Sequence, residues 1–496
     1  MNRKKMTLAI SGIVASLAGG GVSQSALAQE RADNQIFEEV LVTAQKRSQS
    51  IYEVPLAITA FTNETLERQG ITDLVDIGKF VPNLNVTGFS AGHTSSANPF
   101  IRGIGLQDHL ITTDPGVGVY IDGVYLGRQV GQNWSLSNIE RIEVLRGPQG
   151  TLYGRNSIGG AINIITAQPG DEEIMRAGMQ VGSRARVNAD FYVNTRLSDT
   201  VALSFNGAFK RKEGLGDFTN ISTDVEVGEE QDISARVALK WEPNDRFSLV
   251  VAADANDGGN GLRPYTTLID ELPNGALYQA GFRNSDVASN EYDNNTGQVN
   301  QVDVTNEAYG LALTATYELS EFVSAKLIAS DRHSEYESGL DDDSFEENFL
   351  AFPEVGEADQ TSVELNFIGE YETWDFVAGL YYFEEDGSNE QNPYTFNGDP
   401  GDILLAQEMD SWAVFGNIGY RVSDELRLSA GVRYTEDYKE AYTNIVSGLI
   451  EETADREWDE VSWEVAVSYD WSDNMSLYGT VQNGYQSGQF PPRPFC

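Results

Sequence analysis

From about residue 171 onward the chain alternates apolar and polar side chains with a period of two. Phe191, Val193, Thr195 and Leu197 fall on one face of an extended segment, and Asp190, Tyr192, Asn194 and Arg196 on the other. The pattern returns at Val201, Leu203, Phe205 and Phe209, and at Ile233, Ala235, Val237, Leu239 and Trp241. Val363, Leu365 and Phe367, then Leu426 to Tyr434, continue it, and Val461, Trp463, Val465, Val467, Tyr469 and Trp471 are its clearest case. Such alternation predicts strands with one apolar face. About 13 are present, of the length a tilted barrel strand needs to cross a bilayer.

The connections alternate too. Leu197-Ser198-Asp199-Thr200, Glu242-Pro243-Asn244-Asp245 and Val422-Ser423-Asp424-Glu425 are tight turns, whereas 256–305, 334–359 and 386–407 are long, acidic and rich in Gly, Asn and Asp. Short turns at one end and long loops at the other describe an outer-membrane barrel. Trp241, Trp374, Tyr420, Tyr434, Tyr469 and Trp471 lie near strand ends, as interfacial aromatic girdles do. A secreted β-helix or adhesin is the competing architecture, but a regular repeat is missing.

Residues 51–170 have a different texture, that of a compact α+β domain. Ile58 to Phe61 is strand-like, and Asn63-Glu64-Thr65-Leu66 can begin a helix with Asn63 as its cap. Ile71 to Ile77 predicts a second helical turn, ended by Pro82. Val117 to Tyr125 is a hairpin on Asp122-Gly123, and Ile139–Leu145 and Ala161–Thr166 are further strands. The Gly-rich stretches at 102–105, 146–150 and 157–160 lack phosphate-loop spacing and are read as turns and close-packing points. Ahead of this domain, Glu38 to Ala44 forms a short β-branched run flanked by charge and followed by Gln45-Lys46-Arg47, with no obvious nearby pairing partner. It is either an edge strand or bait for a partner's sheet edge. Arg3-Lys4-Lys5, the apolar run from Met6 and Ala26-Leu27-Ala28 before Gln29 predict a secretory signal peptide over 1–28.

Composition narrows the function. The chain has 33 Lys+Arg against 76 Asp+Glu, a net charge of −43, three histidines and one cysteine. Such acidity excludes nucleic acid as a partner. Few histidines and a single cysteine leave no thiol or imidazole metal site, and no nucleophile–base constellation marks an enzyme. Residues 30–170 are close to balance, so the excess acid lies in the strand region. The run Asp341-Asp342-Asp343-Ser344-Phe345-Glu346-Glu347 lacks the spacing of a defined calcium loop and is read as solvated.

Ile101-Arg102-Gly103, Tyr120-Ile121-Asp122-Gly123-Val124-Tyr125 and the continuous stretch Ile139–Ile165 strongly resemble the plug domain of TonB-dependent outer-membrane receptors. Gln360–Leu365, Gly431–Tyr434 and Tyr478–Phe490 resemble the family's barrel motifs, so the likeness covers essentially the whole mature chain. It implies a mainly β protein, an antiparallel transmembrane barrel of roughly 22 strands whose lumen holds the N-terminal plug. The division it suggests is a signal peptide (1–28), a periplasmic segment (29–50), a plug (51–170) and the first part of the barrel (171–496). With about 13 strands counted, roughly nine are expected beyond this sequence. The proline-rich end at 491–496 is then expected to lie in an extracellular loop, leaving open a disulfide partner for Cys496.

The likeness also implies roles. Glu39, Val40, Leu41, Val42, Thr43 and Ala44 would form the TonB box, which pairs with TonB, itself linked to the inner-membrane energising complex. Arg102 and Arg146 would lock the plug to wall carboxylates, with Glu364 as the candidate partner. Apical plug loops carrying Phe89, His93, Gln107, His109, Gln132 and Trp134 would meet a small-molecule ligand. Energised uptake of a scarce nutrient is the expected function. A ferric siderophore is the leading cargo, and cobalamin, glycan or haem are alternatives. A passive porin in outer-membrane lipid is the rival of another class. No cofactor, resident metal or catalytic residue is expected.

Overall fold

In the computed structural model, residues 40–88, 96–106, 108–128, 139–214, 228–261, 303–341, 350–396, 399–445, 450–472 and 475–490 are described. The predicted signal peptide, Cys496 and the acidic run 342–347 lie outside them.

The chain begins with a small hairpin, β1 (Leu41–Val42) against β2 (Gln49–Ser50). There follow β3 (Ile58–Thr62), α1 (Asn63–Gln69), α2 (Leu74–Ile77), β4 (Leu84–Thr87), β5 (Asn98–Ile101), β6 (Val117–Ile121), β7 (Val124–Leu126), β8 (Ile139–Arg146) and β9 (Gly160–Thr166). A five-stranded sheet in the order β3-β8-β9-β6-β7 is the centre of this unit, with only β6 and β9 parallel. Its apolar face buries Phe61, Leu66, Leu74, Ile77, Ile142 and Ile162 against α1 and α2. The hairpin between β6 and β7 turns on Asp122 and Gly123, both at positive φ (50° and 91°), as a two-residue turn between twisted strands requires.

Two local expectations shift. Thr62, not Asn63, caps α1, because the Asn63 amide is drawn off to donate to the Ile139 carbonyl at 2.9 Å. The second helix is only Leu74–Ile77. The Asp73 side chain accepts from the Asp76 N–H at 3.0 Å and so starts it there, and the chain leaves the helix at Gly78, before Pro82.

The wall is one antiparallel sheet of 13 strands in chain order. It runs β10 (Ile174–Val181), β11 (Val187–Ser198), β12 (Val201–Lys212), β13 (Glu230–Asn244), β14 (Phe247–Gly261), β15 (Asp303–Glu318) and β16 (Val323–Asp341). It continues with β17 (Leu350–Glu370), β18 (Trp374–Phe396), β19 (Asp399–Arg421), β20 (Leu426–Ile445), β21 (Ile450–Ser472) and β22 (Met475–Gln482). The alternation has the sense of a membrane wall. On β20, Leu428 and Val432 are exposed while Ser429, Arg433, Thr435, Asp437 and Lys439 are buried. On β21, Val461, Trp463, Val465 and Val467 are exposed and Ser462 and Glu464 buried. Apolar out and polar in suits lipid outside and a packed polar lumen inside. At the tight-turn end, Tyr371 stacks on Trp374 at 4.4 Å and Trp241 meets Phe247 edge-on at 5.9 Å, the start of a girdle.

The loops expected at 334–359 and 386–407 are a larger correction. Residues 334–341, 350–359, 386–396 and 399–407 belong to strands, and β18, β19 and β21 reach 23 residues each. Beyond the bilayer both faces of a strand meet water or polar groups, so the sequence loses its period-two signature. The ladder hydrogen bonds, which do not depend on side-chain polarity, continue.

Candidate functional site

Plug and wall meet at both ends of the lumen. At the tight-turn end the meeting point is the first hairpin. Leu41 is half exposed, whereas Val42 and Ala44 are buried beside Leu145, Tyr153 and wall residues Val377 and Phe415. The Thr43 N–H donates to Glu143 Oε1 at 2.7 Å, and Glu143, buried on β8, also takes Arg141 Nε at 2.8 Å. A partner for β1 therefore does exist nearby in sequence. Two-residue strands joined through Lys46 at positive φ (63°) are too short to leave a pattern.

The residues after that strand reach the wall. Lys46 Nζ donates to both oxygens of Glu364, at 2.7 and 2.8 Å, and lies 5.4 Å from the centre of the Tyr153 ring. Asn366 gives Glu364 a third donor at 2.6 Å. Arg47 forms an ion pair with Asp375, a carboxylate shared with Arg427. Burial, and then the charge of Arg427, bring the Arg47 pKa down to about 10. Both cations belong to the stretch 45–47, noted in the sequence only as charge flanking the box. Glu39 lies outside the described residues.

Of the three residues expected to lock plug to wall, Glu364 does bridge the two, but through Lys46. Arg146 donates to the Pro82 carbonyl at 3.3 Å, its Nε has no partner among the described residues, and Arg102 occupies a positive φ of 54° beside Gly147. Among the described residues neither arginine pairs with a wall carboxylate, and Arg146 and Glu364 are not brought together. The charges that do cross are others. Asp114 pairs with Lys439, both buried, and Arg128, of intermediate exposure, pairs with buried Glu385. Asp122 takes Arg236 at 2.6 Å, and Arg236 and Arg332 share Asp254 at 3.0 and 2.8 Å. Arg155 stacks 4.4 Å from the Phe383 ring. Burial opposes its charge, but Asp437 and Asp114 outweigh this and raise its pKa. Burial likewise opposes the Asp114 carboxylate, yet Lys439, Arg155 and Arg128 hold its pKa below the usual value. Glu385, Asp437 and Lys439 could have been found as charged residues at inward positions of the alternation. Asp114 and Arg128, in plug loops, left no such signal.

At the other end a plug loop rises into the long-strand rim. His109 Nε2 lies 2.5 Å from Glu354 Oε1, and Tyr336 donates to the same carboxylate. The Ile111 N–H donates to Asn389 at 2.5 Å, while Leu110 and Ile111 pack on Ala358 and Leu405. Of the six apical candidates only His109 is described; Phe89, His93, Gln107, Gln132 and Trp134 lie outside.

The family model for the TonB-dependent receptor plug domain matches residues 50–161, and that for the TonB-dependent receptor-like β-barrel matches residues 247–494. The chain belongs to the TonB-dependent receptor family. A TonB-dependent receptor is an outer-membrane barrel protein and not an enzyme. Over 283 residues the chain is 29% identical to the vitamin B12 transporter BtuB of Vibrio vulnificus, covering 56% of this chain and 44% of that one. It is 23% identical over 490 residues to the pesticin receptor of Yersinia enterocolitica, covering 95% and 67% respectively. Among solved structures, the ferric yersiniabactin uptake receptor FyuA from Yersinia pestis superposes with a TM-score of 0.73 at 20% identity, over 88% of this chain and 66% of that one. The ferric-catecholate import receptor Fiu of E. coli K12 gives 0.67 at 15% identity, over 90% and 71%. These structural likenesses concern the fold. The chain thus spans less than half the length of the BtuB relative and about two thirds of the pesticin receptor and FyuA.

Proposed function

We propose that this protein serves energised uptake of a scarce nutrient across the outer membrane, with the segment from Glu39 to Ala44 as the strand offered to TonB. One observation carries the reading: the hairpin that holds this segment is fastened to plug and wall by side chains that can let go. Thr43 is held by Glu143, and the next residues by Lys46–Glu364 and Arg47–Asp375. A strand of this kind adds to a partner's sheet through main-chain hydrogen bonds once its own partner is released. A passive porin has no use for such a fastening. We take 29–50 as the periplasmic segment, 51–170 as the plug and 171–496 as barrel.

A ferric siderophore is the proposed cargo. Support comes from the iron-chelate receptors among the similar folds and from an iron-regulated outer membrane virulence protein of Vibrio cholerae, 30% identical over 258 residues. The vitamin B12 transporter among the relatives keeps cobalamin as the second cargo.

The test is uptake of radiolabelled iron, presented as its citrate, catecholate and thiazoline-type chelates, with labelled cobalamin alongside. Cells making the protein are compared with and without functional TonB. Accumulation that needs both the protein and TonB supports the reading. Accumulation that survives TonB deletion would assign a porin. Leu41→Pro or Val42→Pro should abolish uptake while sparing binding at the cell surface, because proline removes a ladder donor.

A further inference from the structure

A cavity of about 500 Å³ lies inside the wall, between the plug sheet and β13–β17, towards the end where strands are joined by tight turns. Its size is that of a small-molecule site, for which roughly 300–1,000 Å³ is usual. Its lining is opposite in sign to the chain as a whole. Lys46, Arg47, Arg141, Arg236, Lys240 and Lys326 border it, against two carboxylates, Asp122 and Glu370. Five of those cations have carboxylate partners behind the lining, Glu364, Asp375, Glu143, Asp254 and Glu242, and Arg236 also takes Asp122 on the lining itself at 2.6 Å.

Lys326 is the exception. Among the described residues its ammonium has neither an ion pair nor a hydrogen bond. Register sets Lys326 opposite Asn366 and Ile328 opposite Glu364, so Lys326 is a diagonal neighbour of Glu364, whose oxygens are already engaged by Lys46. Among the described residues the Nε atoms of Arg47 and Arg236 are also without a partner, but they are buried behind the lining. Hydroxyls of Ser248, Thr314 and Ser324 are spread over the facing wall. An ammonium with no direct partner, facing hydroxyls around a polar space, is what an anion would satisfy.

We propose that this cavity binds a small multivalent anion, a polycarboxylate or a phosphate-bearing molecule, with Lys326 as its principal anchor. The site lies at the tight-turn end, opposite the rim that His109 meets, and its occupancy does not depend on TonB or on which nutrient is imported. Lys326 supplies the charge-assisted contact, and the hydroxyls of Ser248, Thr314 and Ser324 can add neutral ones.

Calorimetric titration of the purified chain in detergent tests this, with citrate and inorganic phosphate as probes and glucose as the uncharged control. Saturable binding of at least one anion, and none of glucose, is expected. Binding of citrate alone assigns the site to polycarboxylates, and of phosphate alone to phosphate-bearing ligands. Lys326→Met should weaken the anion at least about tenfold, as loss of a charge-assisted hydrogen bond does. Lys326→Arg should stay within a few-fold of the parent, and Lys79→Met, at an exposed plug lysine, should change nothing. Thr314→Phe, which occupies the space without altering charge, should reduce binding too. No heat with either anion, or equal affinity in the parent, Lys326→Met and Thr314→Phe, would overturn the assignment. Uptake that ignores TonB would instead defeat the receptor reading and leave this site standing.

Discussion

Glu364→Gln isolates the contribution of one ion pair to holding the first hairpin. Glu364 and Lys46 face each other at 2.7 Å, with side chains only 7% and 11% exposed. At an effective dielectric near 20, opposite charges at this separation attract by roughly 6 kcal/mol before desolvation is subtracted. Breaking a buried pair by removing one partner typically costs about 3–5 kcal/mol, since the other charge is left stranded. Here the stranded charge is Lys46, which keeps the Tyr153 ring and can escape to water by leaving with the hairpin. A net shift of about 2–3 kcal/mol towards the released hairpin is the reasonable expectation, a rise of roughly 30- to 150-fold in its population. A nitroxide at Leu41→Cys, a half-exposed position, in a chain with Cys496→Ser so that it is the one thiol, reports release as narrowing of its spectrum. Glu364→Gln should give a largely mobile label. Adding Lys46→Met should restore much of the immobile signal, because no unpaired charge then drives release. A Glu364→Gln protein as immobile as the parent would refute the reasoning. So would a double variant as mobile as Glu364→Gln alone.

Three further outcomes follow from the same geometry. Asp114→Asn and Lys439→Met should each destabilise the folded protein by about 3–5 kcal/mol, and the two together by less than their sum, read from denaturant unfolding in a double-mutant cycle. Val465→Arg, on the exposed face of β21, should cost about 2–4 kcal/mol if it sits near the bilayer centre, whereas Val465→Ile should be neutral in the same assay. Burial tends to raise the Asp76 pKa, but donors from Lys79 and Thr72 outweigh it and set the folded value below the unfolded one. Its stabilisation is thus present above about pH 4 and fades as pH falls through the folded value. Hydrogen exchange at α2 should accelerate in that window, and Asp76→Asn should remove the dependence.

What was legible in the sequence was whatever period two and turn chemistry could express. Val461 to Trp471 announced a membrane-facing strand because lipid and lumen impose opposite demands on successive residues. Asp122-Gly123 announced its hairpin because few other residues tolerate two positive φ values in succession. The upper halves of β17–β19 stayed hidden, since Glu384-Glu385-Asp386 face polar surroundings on both sides. The hairpin from Leu41 to Ser50 stayed hidden because its register depends on Glu143 and Glu364, about 100 and more than 300 residues away. Lys46 and Arg47 read as ordinary flanking charge until their wall partners were in place. The family likeness supplied the class of interaction at Arg102, Arg146 and Glu364, but charge pairing is decided by distance, and only Glu364 stands where a plug-side cation reaches it.

The 23-residue strands have a consequence for how anything reaches the lumen. At about 3.3 Å per residue and a tilt near 40°, such a strand rises roughly 55–60 Å, about twice the apolar band of the membrane. β18 starts at Trp374, in the girdle beside the tight turns, so nearly all the surplus height stands on the far side. That surplus is a hydrophilic chimney whose outer face carries carboxylates such as Glu384, Asp386, Asp410, Glu451 and Asp455. An arriving anion meets this fence before it meets the plug, and feels it only within a Debye length, about 8 Å at physiological salt. Capture of an anionic chelate should therefore quicken as ionic strength rises, while a cationic visitor should slow, making the approach to the chimney sign-selective from outside.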